Sequence, residues 1–135
     1  MKISRLLLIT VLSVGTVRAG NIIVIGHQDV PKLDINTLQR IYTGKVISVD
    51  GIQIIPVAIK PGIAERTQFL QHYLGQNEEK YTAYWTVRRY IGKGAPPLEF
   101  NNAYEIIDYV QTTAGAIGYI DEADLKSDMN IITRK

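Results

Sequence analysis

The sequence predicts an α/β fold, a mixed sheet flanked by about four helices, in one domain. Three observations carry that expectation. Runs of β-branched residues such as Asn21-Ile22-Ile23-Val24-Ile25 read as strands buried on both faces. They alternate with stretches whose apolar residues recur at helical spacing. No internal repeat or low-complexity tract interrupts the alternation, and the one linker-like piece, Gly94-Ala95-Pro96-Pro97, is too short to divide domains.

The elements follow in order. Gly26-His27-Gln28 ends the first strand. Asp34 is placed as the N-cap of a helix carrying Ile35, Leu38, Ile41 and Tyr42, with Leu33 and Leu38 as a hydrophobic staple and Gly44 as its C′ residue. Asp50-Gly51 suits a tight turn between 45–49 and 52–59, the second of which is a core strand. A second helix covers 64–74, where Phe69 pairs with Tyr73 and Leu70 with Leu74 before Gly75. Asn77 caps a third, with Tyr81, Tyr84, Trp85, Arg88 and Ile91 on one side, and Asn102 with Glu105 opens a fourth. A glycine-punctuated strand over 115–120 and a short one over 130–133 close the chain.

Residues 1–19 read as a secretory signal peptide: a basic start, an apolar run from Leu6 to Val17, and Val17-Arg18-Ala19 before Gly20. The run is shorter than the ~20 apolar residues of a membrane span, and no cysteine follows to carry a lipid. The expected product is an exported, periplasmic domain over 20–135 with no stable membrane anchor. Without Lys2, Arg5 and Arg18 it carries 12 bases against 13 acids, which speaks against a nucleic-acid binder. With no cysteine, its core must hold the fold without disulfides.

Catalytic chemistry finds no foothold. Ser48 and Ser127 lie outside any nucleophile motif, and His27 and His72 lack partners at metal-ligand spacing, so neither an enzyme nor a cofactor is expected. Asp121-Glu122 reads as turn chemistry. Arg88-Arg89 among Tyr84, Trp85 and Tyr90 mimics a single-strand nucleic-acid surface, but packing of Tyr84 and Trp85 on the sheet under an arginine stem is the plainer reading.

Four segments in order, LQRIYTGKVISVDG, IIPVAIKPGIAERTQFLQHYLG, YWTVRRYIGKGAPP and VQTTAGAIGYID, resemble the phosphate-binding subunit of phosphate ABC transporters and its short periplasmic relatives. The resemblance implies a single periplasmic-binding-protein-like lobe with ligand at strand carboxyl ends and helix N-termini. Full-length members close two lobes on phosphate, and this chain has length for one. Their phosphate-gripping loop, rich in serine and glycine, falls on 59–65 here, where Gly62 alone matches.

The scaffold of an anion site is thus expected without most of its side-chain ligands. Lys60, Gly62, Ile63, Ala64 and Arg66 are the candidate ligand residues, Ile63 and Ala64 through backbone N–H groups and Lys60 through charge. Glu65 in the same turn competes for the helix dipole. One reading is weak binding of phosphate or another small anion, with a protein partner or homodimer completing the cleft. The alternative is a ligand-free lobe serving as an interaction or regulatory module.

Overall fold

The computed structural model describes residues 9–11 and 20–135; the sequence-predicted signal peptide lies almost wholly outside them. Among the described residues, strands β1 (Ile22–Gly26), β2 (Ser48–Val49), β3 (Ile52–Gln53), β4 (Ile55–Ile59), β5 (Leu98–Phe100), β6 (Ala116–Asp121) and β7 (Asn130–Arg134) accompany helices α1 (Ile35–Tyr42), α2 (Ala64–Phe69), α3 (Glu78–Tyr90) and α4 (Ala103–Thr112). Five strands form a sheet in the order β5-β4-β6-β1-β7, with β2 and β3 a separate hairpin. β4 is parallel to β5 and β6, whereas β1 runs antiparallel to both β6 and β7. The sheet is therefore mixed, as expected, and β1 alone is reversed.

Local chemistry explains the boundaries. Asp34 accepts from the Thr37 N–H at 2.6 Å and Asn77 from that of Lys80 at 2.9 Å, so α1 and α3 start where their caps stand. Asp50 and Gly51, both at positive φ (49° and 78°), make the two-residue turn of the β2–β3 hairpin. Three details depart from expectation. The stretch 52–59 breaks at Ile54 into two strands, and the second helix gives way at Leu70 to a π-helical turn through Leu74 before Gly75. The chain after Pro97 also supplies an edge strand, β5, where only a helix-stopping linker was expected.

Helices cover both faces. At Gly118 a side chain would strike Ile106 of α4, at 2.7 Å, so the glycine lets α4 lie close on that face. On the other, Phe69 stacks on Tyr119 with ring centroids 4.0 Å apart and meets Tyr42 edge-on at 4.7 Å. These rings keep their hydroxyls satisfied through backbone carbonyls: Tyr42 donates to Val57 O, Tyr73 to Ile22 O and Tyr81 to Tyr42 O, at 2.9, 2.6 and 2.7 Å. Burial pushes the Tyr81 phenol up to about 12 and Tyr42 and Tyr119 well above the usual tyrosine value, so all three remain donors at neutral pH. Tyrosine abundance is thus largely a core device. Tyr90 and Tyr104 are the exposed exceptions.

Tyr84 and Trp85 pack on the end of α1. The Tyr84 hydroxyl donates to Thr43 O at 2.7 Å, the Trp85 ring edge lies over Gly44, and the Arg88 guanidinium spans both rings at about 5.5 Å. The arginine stem over the aromatics is as expected, but these contacts go to the end of α1.

Candidate functional site

The three parallel strands β4, β5 and β6 end on one side of the sheet, at Ile59, Phe100 and Asp121. Each is followed by a helical turn: α2 after β4, α4 after β5, and a short 3-10 turn, Glu122–Asp124, after β6. Between them lies an open groove of about 330 Å³, lined by Ile59, Ile63, Glu65, Asn101, Asn102, Ala103, Tyr104 and Asp124. Carboxyl ends of parallel strands are where open α/β sheets place ligands, because loops and helix starts converge there.

Ile59, the last residue of β4, is held from three directions. Its N–H donates to the Tyr119 hydroxyl at 3.0 Å, and its carbonyl accepts from that hydroxyl at 3.3 Å and from Arg66 Nη1 at 3.1 Å. Lys60 N–H then donates to Phe100 O at 2.9 Å, tying the end of β4 to that of β5. The chain turns through Pro61 and Gly62, whose φ of +90° only glycine adopts cheaply, although a Cβ there would meet nothing within 4 Å. Ile63 stands at the N-cap of α2 without a side-chain cap. The Ala64 and Glu65 amides make no hydrogen bond among the described residues, so the first turn of α2 opens on solvent with free donors.

The start of α4 differs. Asn102 Oδ1 accepts from the Glu105 N–H at 3.0 Å, and Glu105 Oε2 accepts from the Asn101 N–H at 2.8 Å. The expected capping pair forms, with the glutamate reaching one residue further back than a capping box requires. The Asn101 amide, together with the Lys60 charge, holds the Glu105 carboxyl below its ordinary value. Two helix starts therefore face the groove, one closed by its own side chains and one open.

Of the sequence-predicted residues, Ile63 lines the groove, while Lys60, Gly62 and Ala64 lie exposed at its rim. Arg66 is elsewhere. Its guanidinium is buried and forms a bidentate pair with Glu78, Nε to Oε2 at 2.8 Å and Nη2 to Oε1 at 2.9 Å, with Glu99 3.8 Å away. Burial disfavours its charge most strongly, but the Glu78 hydrogen bonds together with the nearby Tyr119, Glu78 and Glu99 oxygens outweigh it and leave its pKa raised. Arg66 thus positions the strand end through Ile59 O and does not reach into the groove. Asn101, Asn102, Tyr104 and Asp124 line the groove without having been singled out as ligands. The Asn102–Glu105 spacing marked a helix start there, but β5 before it was unread.

Elsewhere, His27 pairs with Asp29 at 2.7 Å, and Asp121 accepts from the N–H groups of Gly20 and Ala123 at 2.6 and 2.8 Å. Among the described residues no group of three His, Cys, Asp or Glu side chains is placed to hold a metal, and no helix is long and apolar enough to cross a membrane.

A mixed α/β lobe whose parallel strands end with an uncapped helix start on one open groove is the architecture of this chain. Two solved structures make that more particular. An ABC-type phosphate transport receptor from Vibrio cholerae superimposes with a TM-score of 0.63 and 17% identity over 84% of this chain and 45% of its own. A protein from Clostridium perfringens, described as a phosphate ABC transporter substrate-binding protein and crystallised with phosphate, does so with a TM-score of 0.63 and 22% identity over 84% and 44%. The chain therefore has the fold of a substrate-binding-protein-like lobe and spans less than half the length of either receptor. No protein-family model matches it, and no curated protein sequence does.

Proposed function

We propose that the chain is an exported, non-enzymatic substrate-binding-like protein of the periplasm that holds phosphate or a similar small oxyanion weakly at the β4–α2 junction. The observation that carries the reading is the uncapped first turn of α2, whose Ala64 and Glu65 amides stand free at a strand carboxyl end. Lys60 adds a cation at the rim, and Gly62 lets the backbone approach a ligand closely. Against the anion stand the carboxylates of Glu65 and Asp124, which line the same groove, and the apolar surface of Ile59 and Ile63. Opposition of this kind gives millimolar affinity, not the tight grip of a two-walled cleft.

Export is supported by the basic, apolar and small-residue pattern of 1–19. Cleavage there would free the Gly20 amine beside the Asp121 carboxylate that already accepts from its nitrogen. A second wall for the groove would come from another copy or a partner lobe, and Tyr104, 78% exposed at the lip, favours such a contact.

Calorimetry on residues 20–135 with phosphate and sulfate, at fixed ionic strength and alongside solution mass, tests this. Millimolar heats that vanish in Lys60→Glu and strengthen in Glu65→Gln are expected. Absent heats in the wild type, or equal heats in Lys60→Glu, refute it.

A further inference from the structure

A second concavity lies at the opposite end of the β4–β5 pair, beside Ile54 and Ile55 at the start of β4 and Leu98 at the start of β5. Its volume is about 310 Å³, at the lower bound of small-molecule sites. Ile41, Ile54, Trp85 and Pro97 help build its walls, and two large apolar side chains, Ile47 and Leu98, stand at it 71% and 57% exposed. Lys93 is the single ionisable residue among those lining it, and its ammonium makes no ion pair or hydrogen bond among the described residues. The backbone that presents Lys93 is fixed. Its N–H donates to Arg88 O at 2.8 Å, and its carbonyl accepts from Arg88 Nη2 at 3.3 Å, the same guanidinium that lies over Tyr84 and Trp85.

We infer that this groove binds a small amphipathic anion of about ten non-hydrogen atoms in all, matching space for roughly ten waters, apolar at one end and ending in one carboxylate paired to Lys93. The lining decides between ligand classes. A bare inorganic anion would shed water against isoleucine, proline and leucine surfaces that return no hydrogen bonds. A neutral hydrocarbon would leave the Lys93 charge unanswered at the rim. A molecule that is apolar at one end and anionic at the other satisfies both. The site is independent of the α2 mouth, because the two sit at opposite ends of β4.

Trp85 is the only tryptophan in the chain, so its emission reports occupancy directly. Titrating residues 20–135 with octanoate should give a saturable change in Trp85 fluorescence. Octanol should bind at least tenfold more weakly, and inorganic phosphate should leave the emission unchanged. Lys93→Glu, at an exposed position, should weaken octanoate tenfold or more while leaving octanol alone, and Ile47→Asp should weaken both; circular dichroism confirms that each variant is folded. No saturable change with octanoate, equal affinity for octanol, or wild-type octanoate binding by Lys93→Glu would overturn the assignment. So would co-sedimentation with phosphatidylglycerol vesicles by a protein whose Trp85 ignores free octanoate. Failure of phosphate to bind at the α2 mouth leaves these outcomes untouched.

Discussion

Replacing Glu78 with alanine strips the Arg66 guanidinium of its bidentate partner. The Arg66 side chain is only 7% exposed, and what remains nearby is the Ile59 carbonyl, the Tyr81 ring 5.6 Å away and Glu99 at 3.8 Å. Breaking a fully buried pair costs about 3–5 kcal/mol, because one charge is left stranded. Glu78 is 39% exposed, so water reaches the vacated side, and the cost is discounted to about 2 kcal/mol. For the 116 residues from Gly20, an unfolding entropy of about 2.1 cal/mol/K per residue converts this to a Tm lower by about 8 °C. Thermal circular dichroism at neutral pH measures it. Glu79→Ala removes a neighbouring charge from the same helical turn without touching Arg66 and should lower Tm by no more than about 2 °C. The paired change Arg66→Met with Glu78→Leu removes both charges and should recover most of the loss. A Glu78→Ala shift as small as that of Glu79→Ala would refute the claim that this pair holds the end of β4.

Two further outcomes follow from the geometry. Gly115→Ala should lose about 3 kcal/mol in urea denaturation with an unchanged slope, since φ there is +76°, a Cβ would collide with the Gln53 carbonyl, and Gly115 O accepts the Ile55 N–H; wild-type stability would contradict this. The carboxyls of Asp29, Asp34 and Glu105 are each held low, first by the backbone amides of Gly115, Thr37 and Asn101 respectively. A lowered folded-state pKa stabilises above the unfolded value, here 3.8 for the aspartates and 4.5 for the glutamate, and the gain is lost as pH falls through the folded values. The urea midpoint should therefore decline below about pH 4.5, and combining Asp29→Asn, Asp34→Asn and Glu105→Gln should flatten that decline.

The parts of the fold that could be read from sequence are those set by neighbours along the chain. Asp34, Asn77 and Asn102 announce their helices because a cap acts over three residues, and Asp50-Gly51 announces a turn because both residues tolerate positive φ. β5 could not be read, because three residues after two prolines show no periodicity and become a strand only by lying against β4. The π turn at Leu70–Leu74 was equally silent, since its i,i+4 pairs look like those of an ordinary helix. At the candidate site the open start of α2 was legible as an apolar strand running through Pro61-Gly62 into a helix. The fate of Arg66 was not: its partner Glu78 lies on another helix, and spacing along the chain carries no trace of that pairing.

The reversed strand β1 has a consequence for the order in which the chain can fold. Ile22 to Gly26 lie between β6 and β7, with Ile23 opposite both Ile120 and Arg134. β1 therefore waits, its apolar side chains unsheltered, until β6 and β7, which lie far downstream of it in the chain, have been made. Such late, long-range closure slows folding and leaves an apolar strand exposed to aggregation in the meantime.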